Sequence, residues 1–129
     1  MKFGESLGGA AALATVAGLT LTAGQAFAAD SVKIGFVTTL TTPAAVIGKD
    51  MQDAANLAMD HIGGKMGGKT VELIYEDDGF RPEGGKRASD KLVKQDDVTF
   101  VTGFIWSHVL LASRKTVLDG GKFLISACL

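Results

Sequence analysis

The stretch Val32-Lys33-Ile34-Gly35-Phe36-Val37 decides the fold. It is short, rich in β-branched and aromatic residues, and free of proline, so it reads as a strand. Its apolar run is nearly continuous, the mark of a strand covered on both faces in a parallel sheet. A Thr-rich loop with Pro43 follows, and then a helix is predicted from about Gly48 to Ile62. Met51, Ala54, Ala55, Ala58, Met59 and Ile62 recur there at helical spacing and predict one inward face. Gly63-Gly64 should end that helix, because glycine takes positive φ without strain.

The pattern then repeats. Lys65 to Lys69 reads as a turn, and Thr70 to Tyr75 as a second strand ending in the polar run Glu76-Asp77-Asp78-Gly79. Pro82 suits the first turn of a second helix, which continues through Lys94 with Ala88, Leu92 and Val93 facing inward. Val98 to Val101 is the third strand, a third helix runs to about Leu118, and Phe123 to Ser126 is the fourth strand. The order βαβαβαβ predicts an α/β fold: a parallel sheet with right-handed crossovers and helices on both faces.

Residues 1–28 stand apart from this pattern. Lys2 comes first, an uncharged small-apolar stretch runs from Leu7 to Leu21, and Ala26-Phe27-Ala28 forms an A-x-A site. That is the tripartite pattern of a cleaved signal peptide, with an N-terminal anchor as the alternative. Export to the periplasm is the expectation, with no integral membrane segment left after cleavage, and residues 29–129 form one domain. The whole chain carries 13 basic and 14 acidic residues, and the segment removes one of each, Lys2 and Glu5. A balance so near zero supplies no basic field, so nucleic acid is not an expected partner. The only cysteine, Cys128, allows no internal disulfide and argues against a Cys-based zinc site.

One literal motif must be refused. Gly63-Gly64-Lys65-Met66-Gly67-Gly68-Lys69-Thr70 matches the phosphate-cradling P-loop. A P-loop needs a strand leading in and a helix leading out, so that loop amides and the helix start converge on phosphate. Here a helix leads in and a strand leads out, and a flexible turn with solvated lysines is the better reading. A small nucleotide-using enzyme working through Lys69 is thereby disfavoured, and no cofactor is expected. Glu76-Asp77-Asp78 is a candidate metal cluster, but alternation along a strand sends neighbouring side chains to opposite faces. A polar strand end that caps loops and lines a rim suits these residues better, and no metal site is expected. His61, near a helix C-terminus, needs no functional role.

Ligands of open parallel α/β sheets bind at the carboxyl ends of the strands. Thr102 to Val109, TGFIWSHV, falls at that edge. Gly103 permits a tight turn, and Ser107 is expected to be the N-cap of the third helix. An anion there would meet backbone N–H groups, a hydroxyl and the positive end of a helix. Ser107 and His108 do not form a catalytic pair, because helix neighbours point about 100° apart. Trp106 is either a pocket wall or a packing residue.

The segments VKIGFVTTLTTPAAVIGKDMQDAANLAMDHI, ELIYEDDGFRPEGGKRASDKLVKQDDVTFVTGFIWS and KFLIS resemble, in that order, the start of a type I periplasmic solute-binding protein. The nearest class is the branched-chain amino-acid, or Leu/Ile/Val, receptor of ABC importers. The resemblance implies a non-enzymatic receptor with two α/β lobes that closes on a small ligand and delivers it to a membrane permease. It implies that Ile105, Trp106 and Ser107 hold a carboxylate through the serine and nearby backbone, with Ser126 adding contacts. The aromatic residue that often precedes a glycine in the first loop is replaced here by Ile47 before Gly48. GFIWS and FLIS are similar to the branch that takes up aromatic or other hydrophobic acids. A ligand-sensing regulator on the same fold is a rival, and the signal peptide argues against it. Family members run to several hundred residues, so the chain is expected to hold an incomplete N-terminal lobe, with a truncated reading frame as the simplest account.

Overall fold

The run from Val32 to Val37 lies inside β1, Ser31–Thr38, in the computed structural model, which describes residues 31–127. The expected signal peptide and Cys128 lie outside the described residues. After β1 come α1 (Ala45–His61), β2 (Lys65–Met66), β3 (Lys69–Asp77) and α2 (Pro82–Lys94). Then follow β4 (Phe100–Thr102), α3 (Ser107–Asp119) and β5 (Phe123–Leu124). The sheet order is β2-β3-β1-β4-β5. β1 is parallel to β3 on one side and β4 on the other, and β4 is parallel to β5. The expected parallel α/β sheet is present.

The direction of the crossovers decides where the helices lie. From β1 the chain moves one way to β3, and from β3 it moves the other way to β4 and β5. Right-handed crossovers then put α1 on one face and α2 with α3 on the other. Alternation along β1 agrees. Val37 joins a core with Leu92 and Val93 of α2 and Val109 and Val117 of α3. A Cβ at Gly35 would meet Leu92 Cδ1 at 2.8 Å, so that face is packed tight over glycine. Phe36 points the other way and tilts against Tyr75, whose hydroxyl donates to Asn56 Oδ1 of α1 at 2.8 Å. Burying a side chain such as Leu92 contributes roughly 1.5–3 kcal/mol, so the α2–α3 face holds most of the cohesion.

Three expectations need correction. The turn predicted from Lys65 to Lys69 contains a short strand, β2, antiparallel to β3. Gly67 and Gly68 take φ of 57° and 80°, the geometry of a two-residue hairpin, and that turn chemistry creates the pairing. α1 starts at Ala45 rather than Gly48, and its inward stripe is narrower than predicted. Met51, Ala55 and Met59 are half-buried, whereas Ala54, Ala58 and Ile62 face solvent. The stripe follows the line through Gly48, where a Cβ would lie 1.8 Å from the Thr39 carbonyl oxygen. That approach fixes which side of α1 can touch the sheet. The strand ends also shift: β3 runs on through Asp77, and β5 has two residues. No helix among the described residues is long and apolar enough to cross a membrane.

Candidate functional site

The crossovers part at β1, so a crevice opens where the carboxyl ends of β1 and β4 lie side by side. Two segments enter it, residues 39–44 after β1 and residues 103–106 after β4. Gly103 makes the second segment possible. Its φ is 97°, and a Cβ would sit 2.5 Å from Phe36 Cδ1 and 2.9 Å from the Val37 carbonyl oxygen. Phe104 then dips into the core, Ile105 is half-buried, and the chain rises to Trp106 at the edge.

Trp106, not Ser107, stands at the N-cap of α3. Its φ and ψ are −113° and 126°, extended values, and no side chain caps the helix. Ser107 is already the first helical residue, because the chain leaves its extended conformation directly after Trp106. The intrahelical ladder begins with Val109 N–H donating to the Trp106 carbonyl at 3.1 Å. Ser107 and His108 thus occupy the first turn, before the ladder, where backbone N–H groups of a helix face outward along its axis. Ser126 stands at the carboxyl end of β5, one strand beyond β4. All four predicted residues, Ile105, Trp106, Ser107 and Ser126, fall at the carboxyl edge of the sheet.

Of the two readings of Trp106, the contacts present are those of a packing residue. It packs against the core cluster, and its indole Nε1 donates to Thr39 Oγ1 at 2.9 Å. Thr39 donates in turn to Asp78 Oδ1 at 2.6 Å. Phe80 meets the indole edge to face, with centroids 4.6 Å apart, and His108 packs on Phe80 at 5.5 Å. The links of Thr39, Asp78 and Phe80 to Trp106 escape sequence reading because they arise only through the pairing of β1 with β3 and β4. The one available signal is their position, each just past the carboxyl end of a strand.

The acidic run diverges as strand alternation requires. Glu76 faces α2 and accepts from Lys91 Nζ at 2.6 Å. Asp77 Oδ1 accepts from the N–H of Leu40 at 2.7 Å and of Gly79 at 3.0 Å, and Oδ2 accepts from the Thr41 hydroxyl at 2.6 Å. Desolvation pushes the Asp77 carboxyl up, but the bonds from Thr41, Leu40 and Gly79 together outweigh it and hold it below its ordinary value. Asp78, 1% exposed, accepts from Thr39 and, at 2.8 Å, from the Phe80 N–H. These two aspartates therefore tie the loop after β1 to the loop after β3, the capping role expected of them.

An open recess of about 430 Å³ lies beside these loops, lined by Thr41, Asp77, Asp78, Arg81 and Arg87 among others. Hollows near 510 and 490 Å³ along α2 are grooves among charged helix side chains, away from the strand ends. The P-loop match stays refused: α1 leads into residues 63–70 and β3 leads out. Lys69 opens β3 at the amino edge of the sheet, opposite the crevice. His61, in the last turn of α1, lies toward that same far edge and cannot serve Ser107.

The sequence profile described as periplasmic binding protein matches residues 31–129. The chain belongs to that family. This periplasmic binding protein chain is 34% identical to the Leu/Ile/Val-binding protein BraC3 of Rhizobium johnstonii, over 83% of its own length and 30% of the relative's. It is similar in structure to the branched-chain amino acid transporter substrate-binding protein LivJ of Streptococcus pneumoniae, crystallised with isoleucine. There the TM-score is 0.69 at 30% identity, covering 74% of this chain and 28% of the other. A solute-binding protein of an ABC transporter from Rhodopseudomonas palustris, crystallised with 3,4-dihydroxybenzoic acid, matches with a TM-score of 0.73 at 28% identity. That match covers 77% of this chain and 28% of the other. One of these relatives is named as a Leu/Ile/Val-binding protein and the other two as transporter solute- or substrate-binding proteins, and the chain spans less than a third of the length of each.

Proposed function

We propose that this chain supplies one half of the ligand site of an exported solute receptor for an ABC importer. Ser107 and the first-turn backbone N–H groups of α3 take the carboxylate of a small acid, and Trp106 forms a wall for its apolar body. Ile105 and Ser126 flank them. The observation that carries this reading is the start of α3 at the switch point between β1 and β4, with an indole fixed beside it. A helix start offers oriented N–H donors and a positive dipole end to an anion.

The ligands crystallised with two relatives, isoleucine and 3,4-dihydroxybenzoic acid, are both small carboxylic acids and support this choice. The indole favours an aromatic or other hydrophobic acid within that class. The receptor works in the periplasm after loss of residues 1–28 and hands its ligand to a membrane permease. Binding needs no chemical step, so no residue here has a catalytic task.

The test is to graft residues 29–126 onto the remainder of a full-length relative and measure affinity for a panel of carboxylates. Ser107→Ala should weaken binding by about 1–3 kcal/mol, the usual loss when a charged hydrogen-bond partner is removed. Unchanged affinity would sink the carboxylate role of Ser107.

A further inference from the structure

We propose that Asp78 is the positioning residue for the aromatic wall, acting on Trp106 through Thr39 and through Phe80. The inference deepens the binding reading above and rests on Trp106 as a ligand wall. A threonine hydroxyl carries one hydrogen and two lone pairs. Thr39 gives its hydrogen to Asp78 Oδ1 at 2.6 Å, which leaves a lone pair for the indole N–H at 2.9 Å. Were the hydrogen turned toward Trp106, two donors would oppose each other. The carboxylate therefore sets the polarity of the hydroxyl, and the hydroxyl sets the ring.

The same Oδ1 accepts from the Phe80 N–H at 2.8 Å. Phe80 has a φ of 63°, a left-handed conformation that side chains other than glycine and asparagine seldom take. Held so, its ring stands at 83° to the indole with centroids 4.6 Å apart. One carboxylate oxygen thus governs both rings, and the linkage is sheltered, with Thr39 0% and Asp78 1% exposed. A wall ordered before the ligand arrives spares the cost of ordering it on binding, about two- to tenfold in affinity for one such side chain.

The chain has a single tryptophan, so its indole N–H gives one assignable proton resonance in the full chain. Exchange of that proton with solvent should be slower than in a free indole by about tenfold or more. Asp78→Ala and Thr39→Val should remove the protection, and Thr39→Ser, which keeps the hydroxyl, should retain it. An indole N–H in the unsubstituted chain that exchanges as fast as free indole overturns the proposal, whether or not any variant folds. Protection that survives Thr39→Val in a folded chain overturns it equally. The measurement uses no ligand, so its failure leaves carboxylate binding in the grafted receptor untouched, and a failure of that binding leaves this positioning intact.

Discussion

Gly103 is the residue on which the crevice turns. Its φ of 97° is a conformation that other residues seldom adopt, and the space where a Cβ would go is taken by the Phe36 ring and the Val37 carbonyl. Gly103→Ala must therefore strain the backbone and displace β1 as well. The variant should lose about 2–4 kcal/mol of stability in chemical denaturation, combining backbone strain with overpacking. A loss within about 0.5 kcal/mol would mean that the 103–106 segment is free to relax, against the close packing seen here. The edge position of Trp106 and Ser107 was legible from chain order alone, since whatever follows a parallel strand lies at its carboxyl end. The partners of Trp106 were not. Thr39 stands 67 positions away from it, and only the lateral register of β1 with β4 brings the two together.

At the scale of elements, Asp77 fastens the end of β3 to the loop after β1. Its carboxyl is held below the ordinary value, so the folded form prefers the ionised state more than the unfolded chain does. The stabilising contribution is complete above the unfolded pKa, about 3.9, and is lost as pH falls through the lower folded value. Asp77→Asn should accordingly flatten the acid side of a stability–pH curve recorded from about pH 2 to 6. Equal slopes for the two proteins would show that Asp77 has no part in acid unfolding. Elements with a strong apolar rhythm were readable in advance: β1 from its β-branched run, and α2 from Ala88, Leu92 and Val93, all buried as expected. β2 had no such rhythm. Lys65 and Met66 are exposed, and their pairing comes from the Gly67-Gly68 turn rather than from any apolar pattern. The inward face of α1 was overestimated for a related reason. Alanine and methionine spacing defines a helix but does not say how much of it meets the sheet.

For the molecule as a whole, the two coats of the sheet differ in how firmly they are attached. α2 and α3 share a continuous core with Val37, Val98 and Val101, whereas Gly48 is the only buried residue of α1. Val46, Ile47, Leu57 and Ile62 on or beside α1 remain exposed. Such a chain should come apart in stages, shedding α1 before the α2–α3 half loosens. Native-state hydrogen exchange would show this as earlier loss of protection in residues 49–61 than in residues 86–94 and 110–118. Simultaneous loss in all three would mean a single cooperative unit. Gly48 rests on the carbonyl of Thr39, the residue whose hydroxyl receives the indole. The soft coat is thereby seated on the residue that holds the indole, so the footing of α1 acts as a brake on how freely Trp106 can swing.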